Sequence, residues 1–394
     1  MTVTSTNMID VARKALSIAR GGLPHGIAQL RARAQHTRGD LAIVTTPITH
    51  RLAHDITNLL GLRAPHKIRF GRQDCGLWGT EGLAPLNGKS VFLFHTVGHE
   101  RLNDDLLQLE TAIVDLADAG VREINLFMLL MPYARQDRRA KIHQPLSARE
   151  VLRMIAQSRS TLGLDIEDVG GGRGVVHVRQ GKRVVKQIVV VDIHNPALES
   201  ALPTNCRFWN LTGRRMLLPE LLRLIGEDNL HLLKVGGPDF GSLKAVKMLL
   251  HDIFPLADDD LLEKHLIQVD KTRGDEGVTA QVLCNVAGRV CLLFDDMIDT
   301  AKTIVTAAEL LRQQGATRVL VAAAHPIFSG QAVQRLSTAV RDHVIDQVLV
   351  LNTMPLPEPL RFPGLRIVDM SPYMAEVVAA VYLDADLGKY LNVG

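Results

Sequence analysis

Nine residues carry three carboxylates and two threonine hydroxyls: Asp295, Asp296, Asp299, Thr300 and Thr303 within Asp-Asp-Met-Ile-Asp-Thr-Ala-Lys-Thr. Carboxylates suit sugar hydroxyls or Mg²⁺, and hydroxyls with the free amides of a helix start suit a phosphate. The bland alternative is a capped loop with solvated acids. A second group is Lys271 and Arg273, two cations in the polar, glycine-containing run 269–275. Cations on such a loop neutralise charge that develops on transferred phosphoryl oxygens. A third is Met-Pro-Tyr-Ala-Arg-Gln-Asp-Arg-Arg at 131–139, where Arg135, Arg138 and Arg139 offer planar donor forks. There, Tyr133 or an arginine face can stack on a base, and a surface charge cluster is the alternative. His194 can ligate Mg²⁺ weakly, bond a phosphate or cap a strand. Asp239, in Gly-Gly-Pro-Asp-Phe-Gly at 236–241, can hold a sugar hydroxyl or a metal-bound water, or simply close a turn. No Gly-x-x-x-x-Gly-Lys-[Ser/Thr] run and no Gly-x-Gly-x-x-Gly run occurs, which excludes an ordinary P-loop and lends no support to a dinucleotide fold.

Strands must present these groups. The short apolar run 290–294 predicts a buried parallel strand, and Ile304, Ala307, Ala308, Leu310 and Leu311 predict a helix closed by Gly315. The same pattern predicts strands at 41–45, 91–95, 124–130, 188–193, 230–235, 265–269, 319–323, 347–351 and 366–369. Helices are expected at 104–118 and 219–225, around Leu52 to Leu60, and around Met374 to Val381. Ser147-Ala-Arg-Glu150 is expected to open another as a capping box. Alternating strands and helices with short links imply a parallel, doubly wound α/β architecture. Ligands bind such sheets outside the carboxyl ends of the strands, where each candidate group falls. The rhythm breaks at 170–187, a Gly-rich turn and a β-hairpin expected around Gln180-Gly181. Its basic residues could touch an anionic partner, although a solvated face is the usual role of such a run. The expected division is an N-terminal extension 1–38, an α/β domain 39–200 with that insertion, and an α/β domain 201–394.

A length of 394 residues leaves room for two or three domains with real cores. With 46% hydrophobic and 22% charged residues the chain is an ordinary globular one, and a net charge of +3 is too small to argue for nucleic acid. The four cysteines lack Cys-x-x-Cys spacing and suggest reduced thiols of a cytoplasmic protein. The expectation is of no signal peptide and no membrane partner, since the apolar run near 124–131 falls far short of the roughly 20 residues a span requires.

Taken in order over 41–391, the motifs resemble those of the ribose-phosphate pyrophosphokinase (phosphoribosyl-pyrophosphate synthetase) family. Phe70-Gly-Arg-Gln-Asp74 is similar to the family's Phe-Ser-Asn-Gln-Glu segment, and Asn103-Asp104 with Leu106 to its Asn-Asp-x-Leu helix start. Residues 132–138 match Pro-Tyr-Ala-Arg-Gln-Asp-Arg/Lys. Asp192-Ile-His194 stands for Asp-Leu-His, Pro238-Asp239 for Ser-Pro-Asp, and Lys271 with Arg273 for the Lys-x-Arg of the flexible loop. Residues 295–303 resemble Asp-Asp-Met/Ile-x-Asp-Thr-x-Gly-Thr, and 324–330 Thr-His-Pro followed by two apolar residues and Ser-Gly.

The resemblance implies two tandem phosphoribosyltransferase-type domains with mainly parallel sheets, a homo-oligomer of dimers assembling into hexamers, and Mg²⁺ as cofactor. It implies transfer of the pyrophosphoryl group of ATP to the anomeric hydroxyl of ribose 5-phosphate, giving PRPP and AMP. By position, Phe70, Arg72, Asp74, Arg135, Gln136, Asp137 and His194 would face ATP. Asp239, Asp295, Asp296, Asp299, Thr300, Ala301, Lys302 and Thr303 would face the sugar phosphate. Metal would fall to His194, Asp239, Asp295 and Asp296, and catalysis to Lys271 and Arg273. Lys302 replaces a glycine of the phosphate loop, Gly237 a serine, and Arg72 an asparagine. These changes flank substrate, so a modified or larger acceptor such as ADP-ribose, or a non-catalytic partner of an active synthetase, are the alternatives they raise. A nucleobase phosphoribosyltransferase would share the physics of the 295–303 loop but would not account for 132–138 or the doubled domain.

Overall fold

The computed structural model describes residues 27–28, 40–72, 78–81, 85–138, 145–160, 163–168, 174–179, 181–238, 242–267, 269–274, 277–282 and 284–392. For 72, 78–81, 163–168, 174–179, 269–274 and 277–282 the description is of the backbone. Asp74, Asp239, Arg139 and the N-terminal extension (27–28 apart) lie outside these residues. The chain divides into two compact units, one within 27–210 with 381–384, the other within 211–380 with the residues from 385 onward.

In the first unit the chain runs β1 (Leu41–Thr45), α1 (His50–Leu60), β2 (His66–Lys67), β3 (Arg69–Arg72), β4 (Trp78–Glu81), β5 (Ser90–His95) and α2 (Leu102–Asp118). It continues through β6 (Glu123–Met128), α3 (Ser147–Gln157), β7 (Gly163–Asp168), β8 (Gly174–Arg179), β9 (Val185–Val191) and β10 (Arg207–Leu211). The sheet order is β10-β9-β6-β5-β1-β2, and β2, β1, β5, β6 and β9 pair in parallel. All six residues of β5 are buried, as a strand covered on both faces requires. Helix α1 buries Leu52, Ala53, Ile56 and Leu60 at helical spacing and ends at Gly61, whose φ of 66° suits a residue without Cβ.

The second unit runs α4 (Gly213–Ile225), β11 (Leu233–Gly236), α5 (Leu243–Ile253), α6 (Asp259–His265), β12 (Val269–Gly274), β13 (Gly277–Val282), β14 (Val290–Ile298) and α7 (Lys302–Gln313). Then follow β15 (Arg318–Pro326), α8 (Ala332–Arg341), β16 (Gln347–Leu351), β17 (Leu365–Val368) and α9 (Ser371–Tyr382). Its sheet, β11-β14-β15-β16-β17, is parallel throughout. One face packs Cys291, Leu293, Val319, Val321, Val348 and Val350 against Ile304, Ala308 and Leu311 of α7 and Leu336 and Ala339 of α8. Burying each large apolar side chain is worth about 1.5–3 kcal/mol, so this face anchors the start of α7.

The two sheets are copies of one plan. Strands β1, β5, β6, β9 and β10 correspond in order to β11, β14, β15, β16 and β17. The parallel β1–β2 pairing corresponds to the parallel Val235–Leu266 bridge. An antiparallel hairpin follows at the same place in each, β3–β4 and β12–β13. The β7–β8 hairpin has no counterpart between α8 and β16, which marks it as an insertion in the first unit.

The structure corrects the sequence reading in places. The inserted hairpin pairs 163–168 with 174–179, so its strands flank the Gly-rich stretch and not Gln180-Gly181, and Val185 already belongs to β9. Ser147 is the first helical residue rather than a cap, Leu146 occupies the N-cap position, and no side chain caps α3. His265 ends a helix where a strand was expected, because Asp258 caps α6 by accepting the Leu261 N–H. Helix α4 begins six residues before the expected Pro219 and carries that proline inside it.

Candidate active site

In the second unit β14 and β15 remain paired beyond the core, with Asp295 opposite Ala323, Met297 opposite His325 and Ile298 opposite Pro326. Asp295 and Asp296 therefore lie on a paired strand end, not in the loop the sequence suggested, and both are half-buried. One Asp295 oxygen accepts the Asp296 N–H at 3.0 Å, which orients that carboxylate.

The loop that follows is held from behind. Ile298 O accepts the Phe328 N–H, and Asp299 O the Ser329 N–H, both at 3.0 Å. Thr300 O accepts Arg335 Nη1 at 2.7 Å, and Ala301 O accepts the Val305 N–H at 3.0 Å. Ala301 sits at φ 60°, ψ 0°, the left-handed region, as N-cap of α7. A residue with a Cβ is roughly 1–2 kcal/mol less stable there. The tie-backs on both sides of it offset that cost. Four successive carbonyl oxygens are thus engaged, while the first-turn amides of α7, from Lys302 on, lack intrahelical partners. Amides at a helix start with hydroxyls beside them form an anion site. Thr300, Lys302 and Thr303 are exposed around it, and Ala301 is buried. His325, one strand over, is buried with Nδ1 3.0 Å from Thr353 Oγ1.

Among the described residues no three His, Cys, Asp or Glu side chains converge as a metal cluster. Mg²⁺ commonly takes one or two protein carboxylates, substrate phosphate oxygens and water. The adjacent, half-buried Asp295 and Asp296 fit that mode. Lys271 and Arg273 lie two residues apart on β12, in register with Ala280 and Val278 of β13.

The first unit carries the other candidates. The turn after β6 is rigid: Gln136 N–H donates to Tyr133 O at 2.8 Å, and Gln136 O accepts the Ala148 N–H at 3.3 Å. Tyr133, at φ 60°, donates its hydroxyl to Asn103 Oδ1 at 2.5 Å, joining two segments the sequence singled out separately. Arg135, Gln136 and Arg138 are exposed on this backbone, whereas Asp137 Oδ1 is buried with no hydrogen-bond partner among the described residues. His194 is exposed just past β9, behind Ile193, whose N–H donates to Asn210 Oδ1 at 2.9 Å. Phe70, on β3, packs against the core of the first unit. Arg72 and the described part of its hairpin occupy the place that β12–β13 takes in the second unit.

The first unit's own strand-end crevice, between β1 and β5, is built differently. Where the second unit has Asp295 on β14, this one has His95 at the end of β5, buried, with Nδ1 3.0 Å from Thr46 Oγ1 and no partner for Nε2 among the described residues. The Gly98 N–H ahead of α2 donates to the chain's own Asp105 carboxylate at 2.7 Å. Burial lowers the His95 pKa to about 3. The unfolded chain therefore binds a proton below pH about 6.5 that the folded chain refuses, and stability is expected to fall by about 1.4 kcal/mol per pH unit on acidification from this group alone. Asp105 and Glu110, whose carboxyls burial holds up, act with the opposite sign, so the comparison is between variant and parent. His95→Asn is expected to flatten the dependence of denaturant midpoint on pH between about 6 and 4. Equal slopes in both proteins would show that His95 does not refuse the proton.

Sequence reasoning missed His95 and Arg335. Neither lies in a run of similar chemistry, and Arg335 reaches the loop only through the packing of α8.

Two duplicated parallel α/β units, one with a tied-back loop opening a helix at the carboxyl end of its sheet, define a phosphoribosyltransferase-type fold. Residues 41–158 match the family described as the N-terminal domain of ribose phosphate pyrophosphokinase, and residues 255–391 the phosphoribosyl synthetase-associated domain. The chain is 28% identical over 295 residues to a ribose-phosphate pyrophosphokinase of Mycoplasma pneumoniae, covering 74% of this chain and 78% of that one. It is 26% identical to that of Clostridium acetobutylicum, covering 86% and 93%. The crystal structure of phosphoribosylpyrophosphate synthetase from Mycobacterium smegmatis shares the fold, with a TM-score of 0.71 at 24% identity over 88% of this chain and all of that one. The chain belongs to the ribose-phosphate pyrophosphokinase family. Among the described residues no helix is long and apolar enough to cross a membrane.

Proposed function

We propose that the chain transfers the pyrophosphoryl group of Mg-ATP to the anomeric hydroxyl of ribose 5-phosphate or a closely related sugar phosphate, giving PRPP and AMP. The observation that carries this reading is the 298–303 loop, whose carbonyls are tied back and whose helix-start amides and hydroxyls stay available to a phosphate. The attacking sugar oxygen forms a bond to the β-phosphorus, the bond from that phosphorus to the oxygen shared with the α-phosphorus breaks, and AMP leaves with that oxygen. The proton of the anomeric hydroxyl passes to solvent, and no side chain needs to act as nucleophile.

In this reading Thr300, Thr303 and the amides near Ala301 and Lys302 fix the 5-phosphate, with Asp299 shaping the turn. Asp295 and Asp296, with Asp239, hold the ribose hydroxyls so that the attacking oxygen stays in line with the β-phosphorus. Phe70, Arg72, Asp74, Arg135, Gln136, Asp137 and His194 form the ATP side. Lys271 and Arg273 stabilise charge on the transferring group. Mg²⁺, when bound, neutralises phosphate charge, and Asp295, Asp296, Asp239 and His194 are the residues proposed to reach it. The working form in this reading is a homo-oligomer, as the family resemblance implies. Formation of AMP on mixing the full chain with Mg-ATP and ribose 5-phosphate tests the proposal, and absence of turnover with every sugar phosphate tried would reject it.

A second reading, a non-catalytic partner of an active synthetase, rests on Lys302, which begins α7 and is exposed where the resemblance expects glycine. Lys302→Gly separates the two. If Lys302 sets acceptor choice, the variant is expected to shift kcat/KM toward ribose 5-phosphate over larger acceptors by about tenfold. A chain that binds no ATP with or without the change, yet alters a synthetase's activity, favours the second reading.

A further inference from the structure

We infer that Arg335 is a positioning residue for the sugar-phosphate loop: it holds the Thr300 carbonyl away from the anion and so presets the amides at the start of α7. The inference rests on the reading of 298–303 as the sugar-phosphate loop.

Three of the four loop carbonyls are captured by backbone N–H groups, and two of those, from Phe328 and Ser329, come from the turn after β15. The Thr300 carbonyl is the exception. It lies on the peptide leading into Ala301, the left-handed residue, and its partner is a charged side chain from a different helix, Arg335 Nη1 at 2.7 Å. The guanidinium is itself braced, because Nη2 donates at 2.9 Å to Oε1 of Gln331, the N-cap residue of its own helix. The fork therefore spans from the start of α8 to the phosphate loop in a fixed geometry, which a point charge on a flexible stem reproduces only in part.

Two consequences follow for an anion at the loop. A Thr300 carbonyl without this partner is free to rotate its peptide, and rotation would bring a partial negative charge toward the phosphate and turn the Ala301 N–H away. Arg335 also places one positive charge directly behind the loop, where it adds to the field of the helix start. Arg335 touches the loop backbone and is not assigned contact with the reacting atoms. It should therefore act on sugar-phosphate affinity more than on the chemical step.

The test uses the full chain and three variants, Arg335→Gln, Arg335→Ala and Arg335→Lys, with melting temperatures recorded for each. Arg335→Gln and Arg335→Ala are expected to raise KM for ribose 5-phosphate by about tenfold, while kcat and KM for ATP change by less than about threefold. Arg335→Lys, which can still reach one carbonyl, is expected to recover most of the loss. Calorimetric binding of inorganic phosphate should weaken in parallel, and this arm needs no turnover. An inert parent chain whose phosphate binding still weakens about tenfold in Arg335→Gln would support the positioning role and reject the pyrophosphokinase reading instead. An unchanged KM and phosphate affinity would overturn the inference. So would a loss spread equally over kcat and both KM values that tracks melting temperature and is not rescued by lysine, and so would a parent chain that neither turns over nor binds phosphate.

Discussion

Lys271→Ala is expected to lower kcat by about a thousandfold while leaving ATP affinity within about threefold of the parent. The reason is differential. In a loose phosphoryl-transfer transition state negative charge is spread over the transferring oxygens, and a cation that closes on them is worth more there than in the ground state. Lys271 and Arg273 lie two residues apart on β12, and the β12–β13 ribbon stands in the second unit where β3–β4 stands in the first. Both lie in the half of the duplication whose loop is proposed to hold the sugar phosphate. AMP formation under saturating substrates, with ATP binding measured separately by calorimetry, distinguishes the roles. Equal losses in kcat and in ATP affinity would mean that Lys271 binds ATP uniformly and has no special hold on the transition state.

Asp296→Asn and Asp295→Asn are each expected to cost about a hundredfold in kcat/KM for the sugar phosphate, with ATP affinity again little changed. Both substitutions keep side-chain volume, and both positions are half-buried on a strand end whose pairing with β15 continues past them. The fold should therefore tolerate the change, so a loss reflects chemistry. Asp295 has one oxygen committed to the Asp296 N–H, which leaves it fewer ways to reorient. Its replacement is expected to be the less readily rescued by raising the sugar concentration. A variant that keeps full kcat/KM would remove that carboxylate from the sugar site.

Much of this arrangement was legible before the fold was known, and the reasons are local. The strand at 290–294, the helix through Ile304 and Leu311, and Gly315 with φ 90° all follow from apolar spacing and one turn residue. Such signals survive tertiary context because a buried strand and an amphipathic helix have little alternative. The strand's true length was not legible, because Asp295 to Ile298 are held extended by pairing with 323–326, a non-local effect. Ser147 illustrates the converse. Its local pattern favours a cap, yet the helix takes it as its first residue, and the capping bond is absent. The hairpin at 163–179 was misplaced because both Gly170-Gly171-Gly172 and Gln180-Gly181 can turn, and only the partner strand decides between them. Arg335 was invisible for the same reason as the β14 extension: its role depends on where α8 lands relative to Thr300. The bond from the Gly98 N–H to Asp105 joins residues seven apart across the start of α2, and no residue spacing announces it.

The measurement that bears most directly on the central claim is a phosphorus NMR spectrum of the full chain with Mg-ATP and ribose 5-phosphate, followed to completion. The account predicts loss of the ATP β and γ signals in step with AMP, and growth of two coupled diphosphate signals on the anomeric carbon beside an unaltered 5-phosphate. Conversion of ATP to ADP and orthophosphate, or to AMP and free pyrophosphate with the sugar unchanged, would contradict it.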